Sequence, residues 1–358
     1  MPFERSTPYN DLPLLPPAVE LETKAVLKQA ISTNRVLANL RGLAAQIPNQ
    51  GVLINSIVLQ EARLSSEIEN IVTTSDELYR ADADADGKTD PHTKEVLRYR
   101  EALNFGFKEL SKRPLTTNLF VDIVRIIKEV EFGIRRIPGT ALQNDHKEVV
   151  YTPPVGEDVI RAKLANLEQF IHEEDGLDPL VKMAVMHYQF EAIHPFEDGN
   201  GRTGRILNLL YLVQCDLLDI PVLFLSRYII ANKAGYYEGL RGVTEHQDWE
   251  NWILYMLRAV ESTAQQTFDQ VTRIRALMEQ VRERVQKEAF GIYSKDLVEV
   301  IFRHPYTKIQ FLVDAGIAKR QTASTYLQTL AGLGILRADK HGREMYYIND
   351  ALFNELVT

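Results

Sequence analysis

The chain has a single cysteine, Cys215, among 358 residues. That excludes a disulfide framework and a cysteine-based zinc site, and it fits a reducing compartment. Positive charge is also short. Lys and Arg number 41 against 49 Asp and Glu, a formal net charge of -8, which argues against a general polyanion binder. No long apolar run is uninterrupted. The most membrane-like stretch, "ILNLLYLVQCDLLDIPVLFL" at 206–225, is broken by Asn208, Gln214, Asp216, Asp219 and Pro221, and it reads as a buried core helix. The opening "MPFERSTPYNDLPLLPP" lacks the basic start and apolar run of a secretion signal. Together these absences predict a cytoplasmic protein with no membrane partner. There is no internal repeat.

What is present is mostly helical periodicity. The composition, 45% hydrophobic and 25% charged, is that of a globular protein long enough for two or three cores. "ELETKAVLKQAISTNRVLANLRGLAAQI" carries leucines and valines at helical spacing; "PNQG" at 48–51 breaks it, and "VLINSIVLQEARLSSEIENI" resumes as a second helix. Further helices are predicted at about 93–110, 159–174 and 179–193. Between them, turn residues surround the β-branched and aromatic run "EVVYT", which predicts a small hairpin projecting from the helical body. Residues 261–289 read as a charged helical connector. After it, "YTKIQFLVDAGIAKRQTASTYLQTLAGLGIL" gives helix, turn at Ala315–Gly316, helix, and "RADKHGREMYYI" gives two strands, the order of a winged helix-turn-helix. The fold class is therefore mainly α. The predicted division is 1–112 N-terminal helical region, 113–260 central helical domain, 261–289 connector and 290–358 winged helix.

The chemistry is concentrated in "HPFEDGNGRTGR", His194 to Arg205. Gly199, Asn200 and Gly201 form a turn just before a strongly helical segment. Backbone N–H groups there make an anion site, helped by the helix dipole. Arg202 and Arg205, three residues apart, can both point back at the same anion, and the guanidinium fork suits phosphate oxygens. Asp198 can hold a Mg²⁺ shared with those phosphates. His194 ends the preceding helix and can take a proton from an attacking hydroxyl. These parts suit phosphoryl or nucleotidyl transfer. A P-loop needs a Gly-Lys-Ser/Thr ending and a preceding strand, and both are missing. A metal hydrolase built on His187, Glu191 and His194 of one helical face matches no zinc motif, although zinc sites do use such spacings. A solvated loop with a capping glycine explains the glycines but not the acid, the histidine and two arginines.

"HPFEDGNGRTGR" matches in full the core motif of Fic domains, HPFx[D/E]GNGRxxR. The resemblance extends over most of the chain: helical N-terminal region, β-hairpin flap, Fic helical core and C-terminal winged helix. It implies a bacterial Fic-family protein adenylyltransferase, with ATP as substrate and Mg²⁺ as metal. By that resemblance His194 deprotonates a target Ser, Thr or Tyr hydroxyl that attacks the α-phosphate of ATP. Asp198 takes the metal, Gly199, Asn200 and Gly201 the anion hole, and Arg202 and Arg205 the remaining phosphates, with Thr203 and Gly204 in the same ATP-binding turn. Phe196 is expected to be buried. Gly201 and the last arginine favour adenylylation over the kinase branch, which has lysine at the Gly201 position. Tyr236 and Tyr237 in "AGYYEGL" are candidates for the adenine pocket, although neighbouring aromatics are commonly core. Val149, Val150 and Tyr151 of the flap would hold the target backbone by strand addition.

"SSEIEN", Ser65 to Asn70, is similar to the inhibitory motif of the family, [S/T]xxxE[G/N]. The implied mechanism pairs Glu69 with Arg205 and forces ATP to bind unproductively. The expected partners are a protein hydroxyl, self-modification included, and a second copy in a homodimer. The alternative activities are removal of AMP by the same site and DNA-binding regulation. The winged helix offers Lys319, Arg320, Lys340 and Arg343, but 291–358 carries 8 basic against 7 acidic residues, weak for a dedicated DNA binder. "DADADG" at 82–87 resembles the start of an EF-hand loop, but Thr93 replaces the bidentate Glu and Pro91 sits inside it. An acidic turn without calcium is predicted.

Overall fold

The computed structural model describes residues 3–46, 50–84, 89–131, 133–144, 146–342 and 344–357. Asp86 and Gly87 of the acidic turn, Pro48 and Asn49 of the first helix break, and Arg343 beside the hairpin lie outside these residues.

The N-terminal region contributes α1 (Lys24–Ala44), α2 (Gly51–Ile68), α3 (Ser75–Ala83) and α4 (Pro91–Glu109). Their starts are written locally. Thr74 and Glu77 form a reciprocal capping box at α3, and Asp90 accepts the Thr93 N–H at α4, with Pro91 in the first turn. Next comes α5 (Thr117–Lys128), whose Leu119, Phe120, Ile123, Val124 and Ile127 form one buried stripe. The flap is a two-stranded antiparallel hairpin of β1 (Leu142–Gln143) and β2 (Val149–Tyr151). Then come α6 (Glu157–His172), α7 (Pro179–Ile193) and α8 (Asn200–Gln214). α7 is buried almost all round, so it shows no amphipathic stripe: it is the central helix, packed on α6 and α8.

The apolar run at 206–225 is not one helix. α8 stops at Gln214 because Asp216 takes a left-handed conformation (φ 56°) and the Leu217 N–H turns back to the Leu212 carbonyl. The chain then crosses the core without helical structure, burying Leu218, Ile220, Val222, Leu223 and Phe224, before α9 (Leu225–Ala231) and α10 (Lys233–His246). The segment expected as a connector is the distal part of α11 (Trp249–Glu288), 40 residues without a break. Ala264, Thr267, Gln270, Val271 and Ile274 are buried there, and α11 packs along α1, α7, α9 and α10.

The C-terminal unit comprises α12 (Lys295–Arg303), β3 (Tyr306–Thr307), α13 (Ile309–Asp314), α14 (Arg320–Gly332), β4 (Arg337–His341), β5 (Glu344–Ile348) and α15 (Asp350–Val357). The sheet order is β3-β5-β4, antiparallel, and Gly316 (φ 68°) turns the chain between α13 and α14. Lys319, Arg320 and Lys340 are exposed. The unit rests on α2 and α3, and the Tyr79 ring of α3 packs against Tyr306 and Phe353. Arg80 lies over the rings of Tyr306 and Tyr346 and pairs with Asp339 at 2.9 Å, and Tyr306 donates to Asp76. Among the described residues, no helix is long and apolar enough to cross a membrane.

Candidate active site

The site lies where the C-terminus of α7 meets the N-terminus of α8. His194 caps α7 in a left-handed conformation (φ 48°), a position unusual for a residue with a side chain. The loop that follows closes on itself. The Asn200 side chain accepts from the Phe196 N–H at 2.9 Å and donates to the Phe196 carbonyl at 2.8 Å, while the Phe196 ring is fully buried against Phe190. Gly199 (φ 84°) then turns the chain into α8. Burial, reinforced by the nearby Arg135 charge, lowers the His194 imidazole to about 4, so it is neutral at pH 7.

Glu69, directly after α2, reaches into this turn. Its Oε1 accepts from Arg205 Nη2 at 2.8 Å. Arg205 is 1% exposed, and Ser65 of α2 holds it further: Nε donates to Ser65 Oγ at 2.8 Å and Nη2 to the Ser65 carbonyl at 2.9 Å. Burial pushes the Glu69 carboxyl up, and the charge and hydrogen bond of Arg205 more than offset this, leaving it below its ordinary value. Gly201 permits the approach. A Cβ there would stand 2.4 Å from Glu69 Oε1 and 2.9 Å from Arg205 Nη1.

The two arginines do not converge on one point. Arg202, 1% exposed, gives Nη1 to Glu95 Oε1 of α4 at 2.6 Å, with Asp198 at 3.6 Å. Lys128, the last residue of α5, bridges Glu95 at 2.7 Å and Asp198 at 2.6 Å. Asp198 also accepts the Gly199 N–H. Burial raises the Asp198 carboxyl, and the Lys128 hydrogen bond and charge outweigh it, so the group is held ionised. Its side chain is 60% exposed, an ionised carboxylate open to solvent beside the glycine turn. Such a donor suits a hard divalent cation.

Several residues of the motif face inward. Thr203 is fully buried, and a Cβ at Gly204 would meet Glu191 Oε1 at 2.4 Å, so this face of α8 packs on α7. The Asn200 side chain is used by the loop, which leaves only its backbone for an anion. Tyr236 is buried in a cluster with Trp252 and Tyr255, its hydroxyl 2.9 Å from His187 Nε2. Tyr237 is the exposed member of the pair, at 45%. His187 also stacks on Trp252 and is lowered to about 3 by burial, which makes it a core residue. Among the described residues no group of three His, Cys, Asp or Glu could hold a metal.

In the flap, Val149 and Val150 are half-buried and Tyr151 is buried. β2 pairs on one side only among the described residues. The Tyr151 ring stacks on Phe3 and meets Tyr9 edge-on, and its hydroxyl donates to the Ala192 carbonyl at 2.8 Å. Sequence reasoning missed Glu95, Lys128 and Arg135. None carries a local signal, because each reaches the site from a separate element.

A helical core with a left-handed histidine, a glycine turn opening a helix and a facing hairpin defines a Fic-type fold. Three family models match in chain order: Fic/DOC family N-terminal at 27–108, Fic/DOC family at 114–212, and the C-terminal domain described as protein adenylyltransferase SoFic-like at 277–352. The chain carries Fic/DOC family domains from 27 to 108 and from 114 to 212. It is similar to the protein adenylyltransferase fic-1 of Caenorhabditis briggsae, 29% identical over 181 residues, half of this chain and 34% of that one. It is also similar to the protein adenylyltransferase Fic of Nematostella vectensis, 27% identical over 49% of this chain and 40% of that one. The match thus spans well under half the length of these curated relatives. Among solved structures, a Fic family protein from Desulfovibrio desulfuricans G20 superposes with a TM-score of 0.57 at 20% identity, covering 93% of this chain and 98% of that one.

Proposed function

We propose that this chain transfers AMP from ATP to a Ser, Thr or Tyr hydroxyl of a protein and that Glu69 holds the activity down. The observation that carries the reading is His194, a neutral imidazole at the end of α7, set against the glycine turn of α8. The relatives named protein adenylyltransferases support the choice of reaction. His194 takes the proton of the target hydroxyl as its oxygen bonds to the α-phosphorus. The bond from the α-phosphorus to the bridging oxygen breaks, and pyrophosphate leaves. The Asn200 and Gly201 N–H groups in the first turn of α8 are the donors for the phosphates, since the Gly199 N–H is taken by Asp198, and Arg202 and Arg205 offset the phosphate charge. A Mg²⁺ would be held by Asp198 and would neutralise phosphate charge. The open edge of β2 at Val149 and Val150 receives the target backbone as an added strand. Tyr237, and not the buried Tyr236, is the exposed ring available to a base.

The brake rests on the ion pair between Glu69 and Arg205. While Glu69 occupies Arg205, the guanidinium is withheld from a terminal phosphate, and the bound triphosphate cannot settle for in-line attack. The test is intact mass spectrometry of wild type, His194→Ala and Glu69→Gly after incubation with Mg-ATP. The expected result is an AMP adduct with pyrophosphate release for Glu69→Gly, little for wild type and none for His194→Ala. Adduct formation by His194→Ala would overturn the assignment of the base. No transfer by Glu69→Gly, to itself or to added bacterial protein, would overturn the transferase reading. Removal of AMP from a pre-modified protein by wild type alone would establish the hydrolytic direction.

A further inference from the structure

Arg135 lies between α5 and the flap, is 3% exposed, and makes no ion pair with a carboxylate among the described residues. Its partners are carbonyl oxygens, and they come from two places. Nε donates to the His194 carbonyl at 2.7 Å, and Nη2 donates to the Ile193 carbonyl at 3.4 Å and to the Pro154 carbonyl just beyond β2. The Arg135 backbone N–H donates to the Pro195 carbonyl at 2.9 Å. One buried residue thus gathers the last carbonyls of α7, the start of the catalytic loop and the exit of the flap.

We infer that Arg135 is a positioning residue that fastens the flap to His194, so that a target strand seated on β2 meets the imidazole at a set distance. The inference rests on the target-docking role proposed for the flap. A buried charge without an acidic partner is unfavourable unless its donors are used. Here they are spent on orphan carbonyls at the negative end of the α7 dipole. That arrangement holds the left-handed turn at His194, which its own side chain disfavours. Tyr151 adds a second fastening from the flap to α7 through the Ala192 carbonyl. A flexible four-carbon ammonium in place of the planar fork reaches one or two of these carbonyls but not all of them.

Variants in the Glu69→Gly background test this, with hydrogen exchange as a readout that needs no catalysis. Arg135→Gln is expected to speed amide exchange in both the flap, 149–155, and the loop, 193–199. The same variant should lower kcat for AMP transfer about 30-fold, the scale of a small misplacement of reacting groups, while ATP affinity by calorimetry changes less than about twofold. Arg135→Lys should recover a large part of the rate, and Tyr151→Phe should lower kcat by a smaller factor. Unchanged exchange in the flap or the loop of Arg135→Gln overturns the inference, whether or not the parent transfers AMP. A parallel loss of ATP affinity and kcat that lysine does not recover also overturns it, since that is the signature of general unfolding. Should Arg135→Gln fail to fold, the decision passes to Arg135→Lys and Tyr151→Phe: wild-type exchange and kcat in both overturn the coupling. A parent inactive on every protein tested fails the transferase reading by itself, and the exchange result still decides the coupling.

Discussion

Glu69 and Arg205 stand 136 residues apart in the sequence and 2.8 Å apart in the fold, and Ser65 shares the same guanidinium, accepting from Nε and Nη2. The pair is graded by chemistry. Glu69→Gln keeps an acceptor but loses the charge, and Glu69→Gly loses both. AMP transfer should rise in the order wild type, Gln, Gly. The full span should be about 10- to 100-fold, the worth of a charge-assisted hydrogen bond. Pyrophosphate release from the three proteins at saturating Mg-ATP measures it, and equal rates for Gln and wild type would assign the restraint to shape instead of charge.

The His194 imidazole is lowered to about 4 by burial first and by Arg135 second. The proton is therefore off throughout the neutral range, and the base stays competent as pH falls from 8 to 5.5. The transfer rate of Glu69→Gly should show no acid limb centred near the ordinary histidine value of about 6.5. A rate profile over that range decides it: a limb near 6.5 means that the imidazole is more open to water than its surroundings indicate.

Lys128 occupies the neighbourhood of Asp198 at 2.6 Å and is itself bridged to Glu95. A divalent cation at Asp198 meets this ammonium as a like charge. Lys128→Met should therefore tighten Mn²⁺ binding, measured by electron paramagnetic resonance with a non-hydrolysable ATP analogue, by roughly fivefold, about 1 kcal/mol of screened repulsion. Weaker binding would place Lys128 on the phosphates as a contributor.

Glu191 contributes to stability with the opposite slope from an ordinary surface carboxylate. Burial raises it to about 7, and its Oε1 has no hydrogen-bond partner. Between its unfolded value of about 4.5 and 7, the folded chain binds more protons than the unfolded one. The stability it supplies is present below that window and is lost as pH rises through it. The loss is at most about 1.4 kcal/mol per pH unit. Glu191→Gln should flatten the fall of melting temperature between pH 5 and 7, and an unchanged slope would assign the effect to Glu61, which burial also raises to about 7.

The residues that were legible in sequence were contiguous or periodic. His194 to Arg205 forms one stretch, and α7 occupies the 179–193 range that its apolar pattern predicts. Within the motif, contiguity misled, because neighbours on a helix diverge by about 100°. Arg202 and Arg205 turn toward the carboxylates, while Thr203 and Gly204 between them turn into α7. The Asn200 side chain is taken by the backbone of Phe196. Glu95, Lys128 and Arg135 could not be read at all, since their partners are set by how α4, α5 and the flap pack. The end of α8 was hidden for a different reason: an apolar run crossing the core in irregular conformation has the same composition as a buried helix.

The unbroken 40 residues of α11 set a phase as well as a length. The helix runs along α1, with Thr33 at the Leu257 carbonyl and Ala44 in one buried cluster with Val271, and it meets α15 at Gln270 and Arg273. It spans roughly 60 Å at 1.5 Å per residue, and the direction in which the C-terminal unit faces is fixed by the residue count. One residue inserted at its middle swings everything downstream by about 100°. Arg80 would then be carried away from Asp339, and Tyr306 from Asp76. The C-terminal unit is geared to α2, which carries Ser65 and leads into Glu69, and α11 is the shaft.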